Sequence, residues 1–424
     1  MKRFIAFILL ILTVGLSFVS CTTSQPYPQD TSTTTAPTPS EPEKTPLFTE
    51  TPGITPSYTH QPVDTVPPAP DTKYFAMSNA NYIYDDVFIY TEYDENWNKY
   101  LKYQRIEDMV EGGHSIYSTT VAPEDDIILN SFSIAYIVDK EATEKNGGSP
   151  VLIIALERIG TKSDSSSFRI ISFNTATNEM TTIVDEKQAD VSIGPLFMYD
   201  DTIYYMISTI NIENPNKEYG KICSVKKDGS EHREFPTKYS TFPSILSIYK
   251  DKIYYIPDIE KNPYVYASDL NFENAEKLMK VEGTPAINDG YIYYSDNKRN
   301  VVIEGVTTEI TNVYRRRIDN IKSSTKELLV ENVFNFRVSG SYIVYNYKED
   351  LVKIDGLFSP YLSPYTLRSY DINTGESSTL ITTAPKPESI INIMSSTKSG
   401  YIFFSSGDKE FLINIQTKKL YPII

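Results

Sequence analysis

Few residues in this chain combine the type and the spacing that chemistry requires. Its three histidines, His60, His114 and His232, lie far apart in sequence. Metal centres and proton relays usually draw on several imidazoles close together, so no such site is expected. Two cysteines cannot make a disulfide framework. Cys223 alternates with apolar neighbours in Lys221-Ile222-Cys223-Ser224, the setting of a small buried residue rather than of a nucleophile. The acid pairs Asp85-Asp86, Asp125-Asp126 and Asp200-Asp201 offer hard oxygen ligands suited to Ca²⁺. Adjacent acids fall short of an alternating ligand loop, however, and read as turns. Arg315-Arg316-Arg317 reads as a solvated strand edge before an anion site. His-Glu-x-x-His, a phosphate-cradling glycine loop and a Gly-x-Ser-x-Gly elbow are all absent from the sequence. Carboxylates are plentiful, so glycoside cleavage by a pair assembled in space stays open as the alternative chemistry. No catalytic residue, cofactor or metal ligand is assigned.

The abundant functional side chain is tyrosine, 33 against a single tryptophan, Trp97. Before it can be interpreted the chain has to be divided. Lys2 and Arg3 precede an apolar run from Phe4 to Val14, which is the pattern of an export signal and is too short for a spanning helix. Residues 1–20 are read as that signal. Val19-Ser20-Cys21 resembles the lipobox of bacterial lipoproteins, and the resemblance implies cleavage before Cys21 and lipid attachment to it. From residue 22 to residue 72 there are 12 Pro, 14 Thr and 4 Ser in 51 positions. Such a stretch has too little apolar surface to offset its ordering entropy, so 21–72 is expected to be an extended, disordered stalk. The expected location is the outer side of a cell membrane, held by the lipid alone. A net charge of −15 argues against nucleic acid or an anionic lipid surface as partner.

Residues 73–424 repeat. A turn residue followed by an alternating apolar and aromatic run recurs in Asp86-Val87-Phe88-Ile89-Tyr90, Asp201-Thr202-Ile203-Tyr204-Tyr205 and Asp251-Lys252-Ile253-Tyr254-Tyr255. It returns at Gly290 to Tyr294, Gly340 to Tyr345 and Gly400 to Phe404, with a weaker copy ending at Tyr136. Taking Tyr90, Tyr136, Tyr205, Tyr255, Tyr294, Tyr345 and Phe404 as equivalent gives a mean spacing of about 52 residues, close to the period of propeller blades. Four strand signals fall within one period: Ile245 to Tyr249, Ile253 to Ile256, Val265 to Asp269 and Glu276 to Met279. In the second strand Ile203 and Tyr205 face one side and Tyr204 and Met206 the other, all apolar or aromatic, so both faces must be covered. Stacked blades do this. The expected fold is all-β, a propeller of seven blades with four antiparallel strands each. Most of the tyrosines then fill gaps between sheets.

Tyr293-Tyr294-Ser295-Asp296, Val313 to Asp319 and the Lys227-Asp228-Gly229-Ser230 turn carry a family resemblance. The repeat resembles the YWTD propellers of low-density-lipoprotein receptors, and more closely their tyrosine-rich bacterial relatives in clostridial lipoproteins. The likeness runs from near Asn79 to the carboxyl terminus and implies a fold and a binding role without enzymatic activity. The expected function is therefore a membrane-anchored binding or scaffold lipoprotein. It would engage a protein, a peptide or a cell-envelope glycan through one propeller face, with loop tyrosines as candidate contacts. The alternative is a carbohydrate-active enzyme, a glycoside hydrolase or lyase, on the same fold.

Overall fold

The structure is a computed structural model that describes residues 68–78, 82–93, 99–109, 119–121, 131–158, 167–186, 191–209, 219–235, 243–258, 261–303, 305–347, 366–382, 391–396, 400–406 and 409–422. After a short strand β1 (Phe75–Met77), the strands form consecutive antiparallel meanders. The first meander is β2 (Tyr82–Tyr84), β3 (Val87–Tyr93), β4 (Lys99–Arg105) and β5 (Thr119–Val121). The second is β6 (Ser131–Val138), β7 (Val151–Arg158), β8 (Ser167–Asn174) and β9 (Met180–Glu186), and the third is β10 (Val191–Tyr199), β11 (Thr202–Thr209), β12 (Tyr219–Lys226) and β13 (Arg233–Glu234). The fourth is β14 (Ser244–Tyr249), β15 (Lys252–Ile256), β16 (Tyr264–Asp269) and β17 (Glu276–Lys280).

The fifth and sixth meanders share a strand. β18 (Glu282–Asn288), β19 (Tyr291–Ile303) and β20 (Val306–Arg317) lead into β21 (Glu327–Ser339). The first half of β21 pairs with β20, for example Val313 with Val330, and its second half pairs with β22 (Tyr342–Tyr347), for example Phe336 with Tyr345. Asn332 turns the strand between the two duties with φ of 59°. β23 (Thr366–Asp371) and β24 (Ser377–Thr382) complete the sixth unit, and β25 (Ile391–Ser396), β26 (Tyr401–Ser406), β27 (Lys409–Asn414) and β28 (Leu420–Pro422) form the last. Among the described residues this makes seven four-stranded units.

Tight turns between first and second strands need positive φ, which Asp, Asn and Gly supply at little cost. Asp85, Asp200 and Asp289 hold φ of 48°, 57° and 48° at these turns. The apolar strands between them are buried on both faces, and the contacts close a ring. Ile89 packs with Tyr136 between blades one and two, and Ile137 with Leu196 between two and three. Tyr204 meets Tyr255, Ile256 meets Ile292, and Tyr293 meets Tyr345 across the next three seams. Val344 joins Phe404, and Phe403 finally returns to Phe88 of the first blade. The fold is thus an all-β propeller. The second strand of blade three behaves as its alternation requires: Ile203 and Tyr205 face blade two, while Tyr204 and Met206 face blade four.

Two expectations are corrected. Tyr136 lies on β6, the first strand of its blade, and not on the second; β7 reads Val-Leu-Ile-Ile-Ala-Leu and has no aromatic residue to mark it. A six-residue helix, α1 (Lys140–Lys145), lies between β6 and β7. Residues 68–72, assigned by composition to the stalk, belong to the folded unit, because Pro68 is buried and Asp71 is hydrogen-bonded to blades three and four. The last blade is finished by the carboxyl-terminal strand. β28 pairs with β27, while β1 pairs with β10 instead.

Candidate functional site at the hairpin end

In a four-stranded meander the turn between strands one and two and the turn between strands three and four emerge at the same end. Polar contacts join neighbouring blades there. The Asp251 N–H donates to the Tyr199 hydroxyl (3.2 Å), and the Asn288 amide donates to the Gly340 carbonyl (2.8 Å). Lys250 pairs with Asp319 at 3.2 Å, and Lys227 reaches back to Asp139 (3.0 Å) and Glu141 (3.3 Å) beside α1. Partial burial opposes the charge of Lys227, but the two carboxylates outweigh it and raise its pKa.

The amino-terminal segment is laid across this end. Tyr249 donates to the Ala69 carbonyl (2.5 Å), and Asp71 accepts from the Tyr199 hydroxyl (2.7 Å) and the Lys250 N–H (2.7 Å). Lys73 pairs with Asp251 at 2.5 Å, and the Asp200 N–H donates to the Tyr74 carbonyl (2.8 Å). The segment then continues as β1 along the inner edge of β10, with Phe75 opposite Tyr199 and Met77 opposite Phe197, and it lies beside β6 and β14 as well. First strands are the innermost of their blades, so this strap runs from the hairpin end into the centre of the ring. Partial burial pushes the Asp71 carboxyl up, yet the Lys250 and Lys73 N–H groups, the Tyr199 hydroxyl and the Lys73 charge together hold it below its ordinary value. Gly290 lies under the strap with φ of +76°, and a Cβ there would come within 2.5 Å of Pro68 and 2.7 Å of the Tyr249 hydroxyl.

The residues singled out for chemistry are mostly absorbed into structure. Asp85 sits in a turn, Asp86 is 3.8 Å from Arg105, and Asp201 pairs with Lys226 at 2.7 Å, which keeps its carboxyl low. Cys223 is 1% exposed, and burial pushes its thiol up to about 11, the wrong direction for a nucleophile. His232 lies 2.5 Å from the Tyr205 hydroxyl and stacks on its ring, and Tyr205 also touches Cys223. Tyrosine thus brings two sequence candidates together, as a buried ring with an imidazole cap. The Arg cluster is not a solvated edge. Arg315 forks onto Glu327 (2.6 and 3.1 Å) over the Tyr291 ring, and Arg316 donates to the Ile321 carbonyl. Asp296, the acid of the Tyr-Tyr-Ser-Asp motif, pairs with Lys326 of its own blade. Cys21, His60, His114, Trp97, Asp125 and Asp126 lie outside the described residues. Among those described, no group of three or more His, Cys, Asp or Glu side chains could hold a metal ion, and no helix is long and apolar enough to cross a membrane.

One feature of the hairpin end had no sequence signal, because it is assembled from segments far apart in the chain. A cleft of about 130 Å³ opens between blade four and the turn that joins β20 to β21. Ala267, Leu278, Ile318 and Ile321 supply its apolar lining, and Lys252, Tyr254 and Asp319 its polar one.

No protein-family model matches this chain, and no curated protein matches it. Among solved structures it is similar to an oligogalacturonate lyase in complex with manganese, at 8% identity and a TM-score of 0.46 over 79% of this chain and 88% of that one. It is also similar to the β-propeller domain of the Trilobed protease from Pyrococcus furiosus, at 11% identity and a TM-score of 0.45 over 80% and 93% of the two chains. A prolyl endopeptidase is matched at 10% identity and a TM-score of 0.45, over 83% of this chain and 48% of the longer enzyme. At these values the likeness transfers neither an activity nor a ligand.

Proposed function

We propose that this protein is a lipid-anchored, extracytoplasmic binding or scaffold module, displayed so that the propeller end opposite the strap meets its partner. The observation that carries this reading is the strap itself. Asp71, Lys73 and Ala69 are bonded to the turns of blades three and four, so a stalk that precedes them leaves from the hairpin end. A Pro/Thr-rich stalk of about 50 residues would tether the ring to a membrane from this end. The opposite end then points outward. Propeller ligands are usually met by loops of one end, where several blades each contribute. The partner class is a protein, a peptide or an envelope glycan.

A glycan array run with a reducing-end assay, alongside co-purification from crosslinked cells, tests this reading. Saturable binding without product, or a recurrent protein partner, is the expected result. Repeated turnover of a glycan would replace the binding module with a carbohydrate-active enzyme.

A further inference from the structure

The cleft between blades four and five has the composition of a ligand site. Lys252 and Tyr254 are two residues apart on β15, so their side chains leave the same face of the strand side by side. Tyr254 is 3% exposed. Among the described residues its hydroxyl has no hydrogen bond, yet it is not sealed from solvent. A buried phenol usually finds a partner, and here the open side is the cleft. Lys252 likewise forms no ion pair among the described residues.

The other charges around the cleft are matched. Glu276 pairs with Lys322 at 2.6 Å and Asp319 with Lys250 at 3.2 Å. Asp269 lies opposite Lys252 on the neighbouring strand, but its carboxylate accepts from the Asn271 and Glu273 N–H groups and the Asn274 amide and forms no ion pair with the Lys252 ammonium. Burial, together with the nearby charge of Asp319, raises the Tyr254 pKa, so the phenol is neutral and able to donate at physiological pH. Ala267 lies beside Tyr254 on the neighbouring strand, Leu278 lies on β17 of the same sheet, and Ile318 and Ile321 line the cleft from blade five. A space of about 130 Å³ suits a ligand of about six heavy atoms, since a cavity of about 150 Å³ accepts benzene.

We infer that this cleft binds a small carboxylate, with the Lys252 ammonium and the Tyr254 hydroxyl on the two carboxylate oxygens and a short apolar group against Leu278 and Ile321. Either a free short acid or the carboxyl-terminal residue of a peptide presents that chemistry. The site is independent of the proposed ligand end, from which it is separated by the length of the blades. It touches the strap through Lys250, whose N–H holds Asp71 and whose ammonium holds Asp319.

Titration calorimetry of the full chain with N-acetylalanine, N-acetylalaninamide, trialanine and trialanine amide tests the site. The acids bind with one-to-one stoichiometry, and each amide binds at least about tenfold more weakly, the factor expected for one charge-assisted hydrogen bond. Lys252→Met weakens the acids by about tenfold or more and Tyr254→Phe by about threefold to tenfold, while Lys298→Met on β19 leaves them unchanged. Lys252 is exposed, so its replacement reads out binding even if Tyr254→Phe fails to fold. Trialanine binding at least about tenfold tighter than N-acetylalanine identifies a peptide terminus as the natural source; equal affinities identify a free acid. Equal binding of acid and amide, an unchanged affinity in Lys252→Met, or no saturable binding of either acid overturns the assignment.

Discussion

The ring is held differently on its two sides. Where blade seven meets blade one no strand crosses among the described residues, and the seam is apolar: Phe88 and Tyr90 pack with Phe403, Leu412 and Tyr421, with the Phe88 and Phe403 rings 5.8 Å apart. Across blades three and four the strap adds backbone pairing at β1, two hydrogen bonds at Asp71 and the Lys73–Asp251 pair. Closure therefore rests on burial, which is large per residue and insensitive to salt. Docking of the amino-terminal strap rests largely on exposed polar contacts, each small.

The largest effect expected of a single change falls on the apolar seam. Phe403→Ala should cost about 3–5 kcal/mol of unfolding free energy in denaturant titration, as for other buried phenylalanines. A loss near that for a surface residue would move the closing interaction elsewhere. Tyr136→Phe comes next. The Tyr136 hydroxyl donates to the Ile89 carbonyl of the neighbouring blade at 3.1 Å, and its removal strands a buried acceptor, so about 1–2 kcal/mol is expected in the same titration. At the strap, Asp71→Asn should cost about 1 kcal/mol or less because the site is only half-buried.

That last cost depends on pH. The folded-state pKa of Asp71 lies below its unfolded value, so the contribution is complete above about pH 4 and is lost as pH falls through the lower, folded-state value. Asp71→Asn and the unaltered chain should therefore converge in stability in acid. A gap that widened on acidification would show the opposite sign. Lys73→Met, on an exposed pair, should change stability by less than about 0.5 kcal/mol and should do so only at low salt.

Much of the ring could be read from residue order because every second strand but that of blade two announces itself. A residue tolerant of positive φ at Asp201, Asp251 or Gly290 is followed by alternating isoleucine and tyrosine, and local pattern and burial agree. Blade two escaped because its second strand, β7, is wholly aliphatic, so the nearest tyrosine, Tyr136, drew the repeat onto the preceding strand. The strap escaped for another reason. Pro68 to Thr72 has the composition of a stalk, and its docking depends on Tyr199, Tyr249 and Lys250, more than a hundred residues away. The cleft is a product of blade packing: Lys252 and Tyr254 belong to the repeat itself, but Ile318 and Ile321 come beside them only when blade five packs on blade four. The arginine run misled because sequence shows charge but not Tyr291 and Glu327, which take Arg315 out of solvent.

The most direct test of the account is a comparison of the two ends on intact cells that display the full chain. A cysteine placed at Asn300, on β19 at the end away from the strap, and one placed at Asp228, in the hairpin-end turn of blade three, would each be challenged with a bulky, membrane-impermeant maleimide polymer. Both positions are exposed in the folded chain. Faster labelling at position 300 than at 228, with equal rates once the protein is released in detergent, is the predicted result. Equal rates on cells, or faster labelling at 228, would contradict display through the strap.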